Sequence, residues 1–238
     1  MPLRTASLFS VALLLPTHGF KLQASLRPAL GPPRASAPVA ALESYDYDGW
    51  KLAYRHKCAA PGHEADPPLL LVHPVGIGLS SWFWDRFIDA WDGGEVFAPD
   101  LIGCGESDRW RPEERGLFLP LDWARGCEAL WRARIQRPCV VFTQGGLAPV
   151  GVVLAARESD NWSGSLAVSH LVLSAPPTWQ DMIIGLPEPE LMRNYNALRS
   201  PLGAAAVGLI ETRAAIRFFS DLFLFEHECD DRYISIHG

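Results

Sequence analysis

Residues 138–156 read PCVVFTQGGLAPVGVVLAA, and the rest of the chain is arranged around this stretch. Residues 139–142 are a short apolar, β-branched run, long enough for a buried strand. Gln144-Gly145-Gly146 follows, and adjacent glycines allow a sharp turn that side chains would resist. Residues 147–156 are small and apolar, as a helix packed on a sheet would be. The stretch therefore reads as strand, tight turn and buried helix in immediate succession.

The same alternation recurs on both sides. Residues 69–72 (LLLV) are continuously apolar, the mark of a strand covered on both faces. Residues 96–98 (VFA) and 170–174 (HLVLS) are further short strands. Between the first two, Trp84, Phe87, Ile88 and Trp91 recur at i, i+3, i+4 and i+7. Ser80 or Ser81 suits the N-cap of that helix, and Gly93-Gly94 ends it. A second helix is predicted over 122–135, with Trp123, Cys127, Leu130 and Trp131 on one face. Strands alternating with helices predict one doubly wound, mostly parallel sheet, with the four runs as neighbouring strands. Upstream, residues 45–57 alternate around Asp48-Gly49, a hairpin with Trp50, Leu52 and Tyr54 on one face. From Trp179 the pattern changes, and residues 182–198 and 204–225 read as helices with no strand between them.

The chain has 238 residues, enough for one domain with a sizeable core. Its net charge of −6 gives no electrostatic reason to expect nucleic acid or an anionic membrane surface. The charge is uneven, because the first 40 residues carry Arg4, Lys21, Arg27 and Arg34 and no acid. Residues 7–15 (SLFSVALLL) are an apolar run of signal-peptide length, too short to span a bilayer. Thr17-His18-Gly19-Phe20 suits a cleavage site, and residues 21–42 are rich in Ala, Ser, Pro and Arg. This segment resembles the two-part leader of algal plastid proteins that travel by the secretory route. Residues 1–42 are thus expected to be a targeting leader to the plastid; the alternative is a secretory signal with a loose linker. The expected core is 43–178, followed by a helical segment over 179–238.

Five cysteines stand at wide spacings with no C-x-x-C pair, which suggests neither a zinc site nor a redox motif. Cys127 and Cys139 lie within apolar patterns, as small core residues do. No metal or cofactor is called for. Asn161-Trp162-Ser163 matches a glycosylation acceptor. The oligomeric state is not legible.

Three segments together resemble the α/β-hydrolase fold of the AB hydrolase-1 type. The strand ending in His73-Pro74-Val75-Gly76 is similar to the family's oxyanion loop. Asp100-Leu101-Ile102-Gly103-Cys104-Gly105-Glu106-Ser107-Asp108 matches the D-x-x-G-x-G-x-S-D loop of its monomeric branch. Residues 143–147 stand where the nucleophile elbow G-x-S-x-G belongs. The resemblance implies oxyanion donors on the backbone of Val75 or Gly76 and of Gly146. It implies a hydrogen-bonding role for His73 and an organising role for Asp100, Gly103, Gly105, Ser107 and Asp108. It also implies that residues from 179 onward are a helical cap.

The departures are as informative. The nucleophile position, flanked by Gln144 and Gly146, is Gly145, which has no side chain. The overall likeness is to plastid-targeted algal or plant members with glycine in place of that serine. The family takes its acid and histidine from late strands, and here only His227 and His237 follow the helical region. No residue is therefore assigned a catalytic role. Two classes of function stay open. One is a hydrolase-like enzyme, or a fragment of one, for a small apolar ester, epoxide or related molecule, with Thr143, Ser174 or a held water replacing the lost serine. The other is a non-catalytic relative that binds an apolar ligand or a partner protein.

Overall fold

The computed structural model describes residues 40–76, 78–111, 120–161, 167–178 and 188–223, together with Ile234. Six strands form one sheet: β1 (Ala41–Tyr47), β2 (Trp50–Lys57), β3 (Leu69–Val72), β4 (Val96–Pro99), β5 (Cys139–Gln144) and β6 (Val168–Ser174). Their order across the sheet is β1-β2-β4-β3-β5-β6. β1 and β2 form an antiparallel hairpin, and β2 is antiparallel to β4. β4, β3, β5 and β6 are mutually parallel neighbours. The four apolar runs are thus adjacent parallel strands, as predicted; β3 coincides with its run and the other three are slightly longer.

The hairpin turns at Asp48 and Gly49, both at positive φ (45° and 80°). That pair of angles matches the twist of the flanking strands. β1 begins at Ala41, which pairs with His56, so strand pairing starts ahead of residue 43.

Alternating side chains divide the sheet into two faces. Leu70, Val72, Cys139 and Val141 pack against α2 (Pro120–Leu130) and α3 (Ala148–Asn161) on one face. Leu69, Leu71, Val96 and Ala98 pack against Trp84 and Ile88 on the other, where α1 (Asp85–Ala90) lies. β3 is buried along its whole length, as its unbroken apolar run requires.

Several helix boundaries differ from expectation. The Trp84–Trp91 stripe is a 3₁₀ turn (Ser81–Trp84) running into the short α1, and Ser80 makes no side-chain cap bond. α2 ends in a π turn (Trp131–Ile135), stopped by Gln136 at φ +53°. The expected helix over 182–198 is observed as α4 (Glu188–Arg199), its first residues lying outside the described set. The expected helix over 204–225 is two helices, α5 (Pro201–Ile210) and α6 (Arg213–Phe223). A hydroxyl cap opens each of the two, and the one on Thr212 accompanies the division. Ser200 Oγ accepts from Gly203 N–H at 3.1 Å, and Thr212 Oγ1 accepts from Ala215 N–H at 3.3 Å.

Candidate functional site

β3 lies between β4 and β5, so the chain leaves β3 to one side and later crosses to the other. Such a reversal opens a crevice at the carboxyl ends of the strands, where ligands bind in open α/β sheets. The loop after β3 (His73, Pro74, Val75, Gly76) and the turn after β5 (Gln144, Gly145, Gly146) flank that point.

Gln144 is still extended (φ −130°, ψ 140°), and Gly145 then turns to φ +62° before the 3₁₀ turn that enters α3. That left-handed angle costs an L residue roughly 1–2 kcal/mol. The room for a side chain nevertheless exists. A Cβ at Gly145 would meet only Pro74 Cβ, at 3.8 Å, an ordinary contact. Gly146 is the tighter position, since its Cβ would lie 2.7 Å from Val75 Cγ1. The Val75 side chain therefore lies against Gly146, which leaves no room for a side chain there. Gly76 closes its loop by accepting from Leu79 N–H at 3.2 Å.

His73 is buried, and both ring nitrogens are occupied. Leu101 N–H donates to Nε2 at 3.3 Å, which leaves the proton on Nδ1 to be donated to the Pro74 carbonyl at 2.9 Å. Burial pushes the imidazole pKa below its usual value, against the smaller upward pulls of the Pro74 carbonyl and Asp100. This histidine ties the loop after β3 to the loop after β4, and it offers no free nitrogen to a nucleophile.

The loop after β4 is organised by Asp100, also buried. Its carboxylate accepts from Ser81 N–H at 2.7 Å and from Glu106 N–H at 2.9 Å. Gly105, at φ +53°, passes so close that a Cβ would lie 2.3 Å from Asp100 Oδ2. Ser107 Oγ donates to the Asp100 carbonyl at 2.6 Å and accepts from Ala53 N–H at 2.9 Å. Asp108 bonds Lys51 twice, its carboxylate taking Lys51 N–H at 2.7 Å and its own N–H reaching Lys51 O at 3.0 Å. Gly103, at φ +85°, donates to the Asp108 carbonyl at 3.0 Å. The loop is stitched to β2 and to the segment entering α1. Cys104 sits within it, and burial pushes its thiol pKa up to about 11, so it is no thiolate nucleophile at neutral pH.

The suggested substitutes for a serine fare differently. Thr143 is completely buried and faces α3, not the crevice, because β5 alternates and Gln144 takes the other face. Its Oγ1 has no hydrogen-bond partner, and Gly151 of α3 lies against it, where a Cβ would come 2.4 Å from Thr143 Cγ2. Thr143 is a packing residue. Ser174 ends β6 in register with Gln144, one residue before the elbow glycine. Among the described residues, His73 is the only histidine at the carboxyl ends of the parallel strands. His56 and His170 lie at the opposite end of the sheet. His227 and His237 fall outside the described residues. Two contributors escaped the sequence reading, Pro74 as the nearest neighbour of Gly145 and Gly151 as the contact that seats α3. The only available signal for Gly151 was a lone glycine inside an apolar helix. Among the described residues no three His, Cys, Asp or Glu side chains cluster as metal ligands would.

A family model described as "Alpha/beta hydrolase family" matches residues 69–234, more than half of the chain. The chain belongs to the alpha/beta hydrolase family. Solved structures share the fold of this alpha/beta hydrolase chain. A hydrolase from Pseudomonas aeruginosa PA01 superposes with a TM-score of 0.52 at 23% identity, over 71% of this chain and 57% of that one. The haloalkane dehalogenase DatA from Agrobacterium tumefaciens C58 gives 0.55 at 20% identity, over 84% and 62%. A membrane phospholipase A described as a bacterial virulence factor gives 0.57 at 18%, over 84% and 56%. The chain thus spans less than two thirds of the length of each. No curated protein matches.

Proposed function

We propose that this chain is an alpha/beta hydrolase relative without serine-nucleophile turnover, whose elbow binds the polar or anionic end of a small apolar molecule. The observation that supports this reading is Gly145: the sharp elbow turn is present at φ +62°, with no side chain at the nucleophile position although a Cβ there would make only an ordinary contact with Pro74. Covalent catalysis needs a nucleophile and a base within hydrogen-bond reach. At this position there is no nucleophile, and His73 spends both nitrogens on backbone groups. What remains is the start of α3 and the adjacent loop at Val75 and Gly76, a setting in which backbone N–H groups favour an anion.

The test is binding of octanoate, compared with octanol, to the full chain by calorimetry. Octanoate is expected to bind more tightly, and Gly145→Leu, which fills the elbow, is expected to abolish the difference. Equal binding of the two probes, or none, contradicts the proposal.

A second reading keeps catalysis on a small apolar ester or related substrate, with Ser174 as the substitute nucleophile. It rests on the register of Ser174 beside Gln144. We further propose that residues 1–42 direct the protein to the plastid by the secretory route, with secretion as the alternative.

A further inference from the structure

Among the described residues, three non-glycines stand at positive φ: Asp48 at 45°, Gln136 at 53° and Ala175 at 45°. Two of them have a local reason. Asp48 turns the β1–β2 hairpin, and short polar side chains tolerate that conformation. Gln136 closes the π turn, its N–H donating to the Trp131 carbonyl at 2.8 Å and its side-chain amide to the Arg132 carbonyl at 3.1 Å. Ala175 turns no hairpin and closes no helix, and its methyl forms no hydrogen bond. It also precedes Pro176, and a proline drives the residue before it toward extended backbone at negative φ. Ala175 is thus disfavoured twice over, and strain of this kind concentrates at ligand sites. Its position agrees. Ser174 pairs in register with Gln144, so Ala175 and Gly145 follow neighbouring strands roughly 5 Å apart. Both turn left-handed at the carboxyl ends of the parallel sheet. The two turns differ in what they offer. Gly146 and Leu147 follow the first and carry backbone N–H groups at a helical start that Gln144 does not cap with its side chain. Pro176 and Pro177 follow the second and have no N–H. Ala175 and Pro176 are exposed, and Pro177 is half-buried.

We infer that Ala175, Pro176 and Pro177 are the apolar wall of the elbow site, against which the hydrocarbon chain of the ligand lies. This rests on the reading of the elbow as the holder of a polar or anionic end. It gives that ligand a direction, from the end of β5, where N–H groups stand, toward the end of β6, where the two prolines offer none. A methyl and two pyrrolidine rings present carbon to the ligand, and an apolar chain needs no more than that. The prolines also fix the backbone in advance, so little freedom is lost when a ligand settles on them. The left-handed turn at Ala175 ends β6 where β5 ends, so the wall begins beside the bare Gly145. The class of ligand that fits is a carboxylate on an aliphatic chain of several carbons, not a short carboxylate.

The test is calorimetric binding of octanoate and butanoate to the full chain and to its Ala175→Asn variant. Asparagine tolerates the left-handed conformation better than alanine, so the variant is expected to keep or raise the urea midpoint while placing an amide on the wall. In the native chain octanoate is expected to bind about tenfold or more tighter than butanoate, because its additional methylenes lie on the wall. Ala175→Asn is expected to cut that ratio about threefold or more, since a polar group now faces the chain. A ratio that the variant leaves unchanged overturns the inference. So does a native chain that binds the two acids equally, and so does a lowered urea midpoint, which would mean that residue 175 is not held left-handed. Octanoate that still binds more tightly than octanol, with a chain-length ratio indifferent to Ala175→Asn, leaves the elbow reading standing and removes the wall alone. Binding of neither acid removes both.

Discussion

At the scale of single residues, Gly105 and Asp100 are the tightest pair near the crevice. A methyl at Gly105 would stand 2.3 Å from the Asp100 carboxylate, at a φ of +53° that L residues adopt only under strain. Gly105→Ala combines a clash with backbone strain and is expected to lower stability by roughly 3 kcal/mol, read as the urea midpoint of the full chain. A loss below about 0.5 kcal/mol would mean that the Asp100 loop relaxes freely. His73 adds a pH dependence. Its folded pKa is depressed by burial below that of the unfolded chain, so the unfolded state binds the proton more readily. Its contribution is complete above about pH 6.5 and falls as the pH drops toward the folded value. Stability is therefore expected to decline as pH falls below about 6.5, with a smaller decline in His73→Asn. An equal slope in that variant would assign the effect to other groups. The loop glycines and Asp100 were legible because their spacing is a local pattern. Pro74 and Gly151 were not, because their roles exist only as distances between segments remote in sequence. Thr143 was misread for the same reason: only the strand's alternation in the folded sheet shows that its hydroxyl faces α3.

At the scale of elements, the unbroken apolar runs identified the parallel strands, since burial on both faces leaves no room for alternation. The helices of the last third were less legible. Residues 204–225 are apolar enough to read as one helix, and the division at Glu211–Thr212 is accompanied by a single hydroxyl cap. The hairpin bears on the leader. Ala41 pairs in register with His56, so processing beyond that point would strip the first rung of β1. The mature protein is expected to begin between about Gly19 and Ala41. Sequencing the N-terminus of protein from its source checks this, and an intact Met1 would sink the targeting proposal.

At the scale of the whole molecule, the sheet, the crevice and the elbow turn of an alpha/beta hydrolase are present, and the side chain at the centre of the elbow is not. Backbone donors alone give a residual acceleration of roughly 10³–10⁴ over water in serine hydrolases stripped of their triad. Restoring Gly145→Ser fits the available space, yet it is not expected to restore activity, because among the described residues the one histidine at the carboxyl ends of the parallel strands, His73, has no free nitrogen. The decisive measurement is treatment of the full chain with a fluorophosphonate probe alongside an activated-ester assay. No serine is expected to be labelled, and no turnover beyond the donor-only level is expected. A labelled serine whose replacement abolishes turnover, with Ser174 the first to examine, would contradict the reading of this protein as a hydrolase fold without its nucleophile.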